Sequence, residues 1–358
     1  DKKIFPRDKL CGGLLTLRSK KVFDRVFQTN WDKVICNTSK GVDFYYKSKF
    51  VNSISDYKDV YFTSRRYFDD FLLKLAHDEG ATLILGHRVK SIDEKNKKLI
   101  LNNEDQIRYN YLIGADGVNS VIARCLFGSS FDRKTIALGL ETELPYTKHI
   151  ETIPNPEIYF GVVSWGYAWV FPKKHTLTVG IGGLHYKNKN IKNKFFDFLS
   201  LRFGSRPDEK IKGHFIPFGH YKRIPGRRCI LLAGDAAGLV EPITGEGIAF
   251  AMQSGFFAAK SILRAIEERT DNALTMYADM YKRITHILDY SNALKYLAFP
   301  KPMLYVFKAA LLQSNHIAIK HMDLMADELT YQDFAKFLFR KTINGLSRVI
   351  LPARKKFY

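Results

Sequence analysis

Apolar residues recur at helical spacing after Ser64, where Phe68, Phe71, Leu72, Leu75 and Ala76 share one face and Gly80 stands where such a helix would stop. The pattern then shortens. Residues 82–85, Lys98–Leu101 and 107–113 read as strands, with the turn-prone Asn102-Asn103-Glu104-Asp105 between the last two, and predict a small β-meander feeding a buried strand. From 158 to 183 aromatic and β-branched residues dominate, with Lys173-Lys174-His175 as a hairpin turn, so a second, antiparallel sheet is expected there. Residues 229–233 form a continuous apolar run that reads as a buried strand, and beyond Gly247 the pattern is helical almost to the end, broken near Pro300 and Pro302.

With 358 residues, 46% of them hydrophobic, the chain can bury a full-sized core and is expected to form two packed regions. No apolar stretch approaches the ~20 residues of a membrane-spanning helix. Four scattered cysteines without a CxxC pair exclude a zinc cluster and a dense disulfide framework, and fit a reducing cytoplasm. No set of residues has metal-ligand spacing. Residues 1–9 are charged and contain Pro6, unlike a signal segment.

Lys and Arg outnumber Asp and Glu by 56 to 36, a formal charge of +20 that draws a chain toward phosphates or anionic lipid. Between 331 and 358, Lys336, Arg340, Lys341, Arg348, Arg354, Lys355 and Lys356 face the single Asp333. That tail reads either as a solvated helix or as a segment lying on the inner face of an acidic membrane. No nucleic-acid module accompanies the charge, and no nucleic-acid partner is expected.

Two glycine-acid motifs carry the chemistry. Gly114-Ala115-Asp116-Gly117 follows a strand end and opens toward Arg124, a tight turn in which Asp116 can meet ribose hydroxyls or a pyrophosphate, or serve the turn alone. Gly234-Asp235 follows the 229–233 strand at the carboxyl end where parallel sheets bind ligands, so Asp235 can accept from a polyol or cap the next helix. Pro242-Ile243-Thr244-Gly245-Glu246-Gly247 then runs into Ile248, aiming free amides and a helix amino end at an electron-rich ring.

Taken in order, these segments resemble the FAD-dependent oxidoreductases of the aromatic-hydroxylase fold, and within them the geranylgeranyl reductase family. Pro6-Arg7, Lys9 and Cys11-Gly12-Gly13 resemble its PRxKxCGG loop, Arg65 with Phe68, Asp69 and Leu72 its RxxFDxxL helix, and 114–124 its GADGxxSxxR motif. Gly234-Asp235 and 242–247 resemble GD with PxxGEG, while Tyr167, Trp169, Phe171 and Pro172, followed by Gly180 and Gly182, resemble the YxWxFP and GxG lining of the substrate pocket. The GxGxxG that should precede all of these is missing, so the numbered chain reads as a family member cut after its pyrophosphate cradle, with Asp1 at the position of the ribose-binding acid.

The resemblance implies an α/β fold: an FAD-binding, Rossmann-like parallel sheet of the glutathione-reductase type with a β-meander, an antiparallel-sheet substrate domain and a C-terminal helical region. The corresponding divisions are 1–21, 60–130 and 215–260 for FAD, 22–59 and 131–214 for substrate, and 261–358 for the helices. Cofactor contacts would come from Asp1, Arg65, Asp116, Gly234, Asp235, Pro242, Gly245, Glu246, Gly247 and Ile248. Cys11, Gly12 and Gly13 would flank the ring as the catalytic loop; Tyr159, Tyr167, Trp169, Phe171, Gly180 and Gly182 would line the pocket. By residue type alone, Cys11 reads equally as a small packed hydrophobe and the aromatics as core.

The implied reaction is hydride delivery from FAD, itself reduced by NAD(P)H or another donor, to a double bond of an isoprenoid lipid. A flavin monooxygenase and a non-catalytic, membrane-associated flavin-fold relic or lipid-binding protein are the alternatives.

Overall fold

Side chains that alternate across extended backbone sort the middle of the chain into two faces. The computed structural model describes residues 1–204, 206, 209–300, 315–338 and 340. Its largest sheet has seven strands in the order Lys212–Pro217, Ile136–Pro145, Thr176–Leu184, Gly166–Pro172, Glu157–Phe160, Val42–Tyr46 and Lys49–Ile54. Neighbours are antiparallel except Glu157–Phe160 beside Val42–Tyr46. The sheet expected from 158 to 183 is therefore present and extends well beyond that segment.

The described helices include α1 (Leu17–Phe27), α2 (Arg65–Asp78), α3 (Val121–Phe127), α4 (Ile191–Phe203), α5 (Ile248–Glu267), α6 (Ala273–Ala298) and α7 (Asn315–Met325). Ala168, Val170, Val179 and Ile181 project from the large sheet onto Phe195, Phe198 and Leu199 of α4. Each such buried side chain contributes about 1.5–3 kcal/mol. The opposite face is thereby left to line a cavity.

A second core surrounds the parallel pair Leu112–Gly114 and Ile230–Leu232, with Gly226–Arg227 antiparallel beside the latter. Ile122 and Leu126 of α3, Phe250 and Phe257 of α5, and Tyr277, Tyr281 and Ile284 of α6 cover it. The buried phenols are satisfied, Tyr277 donating to the Leu232 carbonyl at 2.8 Å and Tyr281 to the Lys222 carbonyl at 2.9 Å. A sheet with a parallel pair, separate antiparallel sheets and C-terminal helices match the expected fold class.

The meander forms from Val89–Asp93, Lys98–Leu101 and Gln106–Arg108. Two strand expectations need correction. The 107–113 run divides, its first part entering the meander and Leu112–Gly114 entering the parallel pair. Residues 82–85 join no ladder among the described residues, although the amino group of Asp1 donates to the Ile84 carbonyl at 2.8 Å. Alternation alone does not make a strand when no partner backbone runs beside it.

Helix α2 begins after Ser64 as expected, and α6 ends two residues before Pro300. Pro302 and the tail positions Lys341, Arg348, Arg354, Lys355 and Lys356 lie outside the described residues. Among those described, no helix is long and apolar enough to cross a membrane.

Candidate active site

Strand register decides which side chains reach the cavity. Glu141 stands opposite Gly180, Gly180 opposite Trp169, and Trp169 opposite Ile158. On the neighbouring rung, Gly139 faces Gly182, Gly182 faces Tyr167, and Tyr167 faces Phe160. A Cβ at Gly180 would overlap the Trp169 indole, and one at Gly182 would come within 3.3 Å of it. The glycines thus make room for the aromatic rings to lie across the strand. Trp169, Tyr167, Phe171, Ile158 and Phe160 form one wall of a cavity of about 910 Å³.

Loops supply the facing wall. Gly13 has φ +78°, and a side chain there would collide with the Thr63 carbonyl, so only glycine lets Cys11-Gly12-Gly13 lie flat against the neighbouring strand. Gly12 packs so closely that its Cβ would stand 2.8 Å from Phe171. The turn Gly234–Ala236 follows the strand Ile230–Leu232 and brings Asp235 to the cavity, where its carboxylate meets Lys9 Nζ at 3.6 Å. Gly247 caps α5 without a side-chain bond, and Gly247, Ile248 and Ala251 line the cavity. The unpaired amides of the first turn therefore present the helix's positive end to this space.

Charges on the rim are paired. Arg65 donates to both oxygens of Asp69, at 2.6 and 2.9 Å, and Arg7 reaches the same carboxylate at 3.2 Å. Burial disfavours the Arg65 charge, but Asp69 outweighs it and holds the guanidinium pKa above its ordinary value. Glu246 accepts from Thr16 Oγ1 at 2.6 Å and Arg18 Nη1 at 2.7 Å, which ties the loop before α5 to α1. Tyr167 donates to the Thr244 carbonyl from the other side.

Of the residues expected in the site, Cys11, Gly12, Gly13, Arg65, Tyr167, Trp169, Phe171, Gly182, Asp235, Pro242, Gly245, Glu246, Gly247 and Ile248 meet at this cavity. Five do not line it. Tyr159 has the opposite strand parity from Ile158 and Phe160, so it stacks on Tyr45 at 4.4 Å and packs against α4. Gly180 lies beneath Trp169, and Gly234 lies behind the wall with its N–H donated to Ser254. Asp116 accepts from Ser120 Oγ at 2.5 Å and Val121 N at 2.6 Å, capping α3. Asp1 pairs with Arg7 at 3.4 Å on the surface.

The architecture has known counterparts. The family model described as tryptophan halogenase matches residues 15–291. A digeranylgeranylglycerophospholipid reductase of Methanococcus aeolicus is 30% identical over 294 residues, covering 78% of this chain and 72% of its own. The chain belongs to the geranylgeranyl reductase family of FAD-dependent oxidoreductases. An uncharacterised protein of Methanosarcina barkeri is 36% identical over 272 residues, covering 75% of this chain and 68% of its own, so the chain spans about two thirds of these relatives' length. Among solved structures, a geranylgeranyl bacteriochlorophyll reductase-like protein from Thermoplasma acidophilum superposes with TM-score 0.77 at 22% identity, over 95% of this chain and 91% of its own. The Pseudomonas aeruginosa protein PqsL, a probable FAD-dependent monooxygenase, does so with TM-score 0.63 at 15% identity, over 85% and 90%.

As a geranylgeranyl reductase family member, the chain has a cavity that suits FAD. Glycines at 12, 245 and 247 keep the loop wall low, and a helix start without a side-chain cap faces the cavity. Among the described residues, no cluster of His, Cys, Asp or Glu has metal-binding geometry.

Sequence reasoning missed Glu141, Glu143 and Lys173. Lys173 meets Glu143 at 2.8 Å, and Glu143 also accepts from Thr176 and Thr178. Glu141 accepts from Cys11 N at 3.3 Å, and burial pushes its pKa up to about 7. The available signal was two acids at alternate positions of a strand whose other residues, Thr142 apart, are apolar.

Proposed function

We propose that this chain hydrogenates carbon–carbon double bonds in the polyprenyl chains of a lipid, with NAD(P)H or another electron donor recharging its FAD. The observation that carries the reading is the continuity of the cavity. It runs from Asp235 and Gly247 past Trp169 and Phe160 to Leu294, Phe299 and Met322, at the junction of α6 and α7. An isoprenoid offers apolar area and no hydrogen bonds, and such a lining suits it. The Methanococcus relative carries the name of a reductase of geranylgeranyl lipids.

When bound, FAD supplies a two-electron hydride carrier. The chain's own groups do the rest. Asp235 would accept from the ribitol, the Gly247 amide and the first turn of α5 would favour negative charge on the ring edge, since the amides of Gly245 and Glu246 are spent on Glu241 O and Thr244 Oγ1, and Arg65 would serve the diphosphate side. Trp169, Tyr167 and Phe171 would hold the alkene and exclude water, and Cys11 and Gly12 would flank the ring. The division into FAD-binding, substrate and C-terminal helical regions follows from the same reading, and membrane contact through the basic tail belongs to it.

The experiment is flavin loading of the purified full chain, chemical reduction under argon, and addition of a geranylgeranyl lipid. Return of the oxidised flavin spectrum with saturation of the lipid supports the reading. A second reading, oxygen insertion, is favoured by the fold shared with PqsL. A strict requirement for oxygen in lipid turnover decides for it and against reduction.

A further inference from the structure

Two buried polar atoms near the Cys11-Gly12 segment have no hydrogen-bond partner: Oε2 of Glu141 and Nε1 of Trp169. The two groups approach successive residues of that segment. Oε1 of Glu141 accepts from Cys11 N at 3.3 Å, and a Cβ on Gly12 would stand 3.2 Å from Trp169 Nε1. The indole lies over Gly180, which is directly opposite Glu141 in the sheet.

Leaving a buried acceptor unsatisfied costs about 1–3 kcal/mol, and more for a charged one. The cations nearby do not relieve it. Lys173 is held by Glu143 at 2.8 Å, and Lys212, opposite Glu141 on the edge strand, by Asp8 at 3.3 Å. The ionisable groups facing the carboxyl are therefore Lys173, Glu143, Lys212 and Cys11. A neutral carboxyl, donor as well as acceptor, and an indole N–H together can hold one water molecule beside the cavity wall.

We propose that Glu141 holds the proton consumed in double-bond reduction and passes it to the cavity through a water bound at Trp169 Nε1. The inference rests on the reductase reading and deepens it. One alkene carbon accepts hydride from the reduced flavin, the π bond breaks, and the adjacent carbon takes the proton. Two C–H bonds form, the flavin is left oxidised, and Glu141 is left as carboxylate until solvent reprotonates it. Glu141 acts through the water and is a positioning, proton-holding residue.

Two measurements test this. In the full chain without flavin, infrared difference spectra between pH 5 and 9 should contain a protonated-carboxyl band that titrates near pH 7 and is absent from Glu141→Gln. In the flavin-loaded chain, reoxidation by a geranylgeranyl lipid under argon should slow about 100-fold in Glu141→Gln, with a flattened pH profile, and recover to within about tenfold in Glu141→Asp. Trp169→Phe, which keeps an aromatic wall, should flatten the same profile. Wild-type turnover with Glu141→Gln unchanged in rate and profile overturns the proposal alone. Flavin that binds but is never reoxidised by the lipid in the wild-type chain overturns the reductase reading and this inference with it.

Discussion

Arg18 of α1 and Glu246 of the loop before α5 meet at 2.7 Å with both side chains buried, and the same guanidinium donates to the Leu324 carbonyl of α7 at 2.6 Å. One side chain thus joins the flavin-side loop to two helices far apart in sequence. Replacing Arg18 by Met should cost about 3–5 kcal/mol, because Glu246 is left as a buried, uncompensated charge. Urea denaturation reads this directly. A loss below about 1 kcal/mol would remove the pair from the account of how the loop is held.

Glycines 180 and 182 separate sharply in what they tolerate. Gly180→Ala places a methyl in the Trp169 ring and should cost about 1–3 kcal/mol, whereas Gly182→Ala meets the ring at 3.3 Å and needs only a small shift. Thermal melting gives the order, and tryptophan fluorescence should change more in the first variant. Equal effects would contradict the placement of the indole over residue 180.

Asp235 and Asp116 look alike in sequence and differ in surroundings. Asp235→Ala should abolish flavin retention during gel filtration with little change in stability, since its ion partner among the described residues is Lys9 at 3.6 Å. Asp116→Ala should retain flavin and lose about 1 kcal/mol through the α3 cap. Flavin loss in the second variant and not the first would reverse the assignment.

Acid sensitivity should trace to His321, which burial, with Arg18 adding to it, pushes down to about 4. Its unfolded pKa is about 6.5, so the unfolded chain binds the extra proton first. Stability from this group is full above about pH 6.5 and drains away as pH falls toward 4. Glu141 has the opposite sign: its folded pKa is raised, so its contribution is present below the ordinary carboxylate range and lost as pH rises toward 7. The comparison must therefore be between wild type and His321→Gln. The variant should lose about 2 kcal/mol less than wild type between pH 7.5 and 5. Parallel urea midpoints for the two chains across that range would refute it.

The helix at Arg65–Asp78, the hairpin at Lys173-Lys174-His175 and the loop entering Ile248 were legible because each is punctuated locally by a cap, a turn or glycines. The motif order was legible too, and most of the residues it marks meet at the cavity. Local chemistry determined these features because the causes lie within a few residues of the effect.

Tertiary structure alone decided the others. Tyr159 belongs to α4 and not to the cavity because pairing with Tyr45 and Ala168 sets its face, a choice of one residue in register. Residues 82–85 carry a strand pattern but join no ladder among the described residues, since a ladder needs a second backbone. Asp116 spends both carboxylate oxygens on α3. The alternating acids mark Glu141 in the sequence, but its contact with Cys11, 130 residues earlier, its burial and its unpaired oxygen are properties of the packed molecule and are written at no single position.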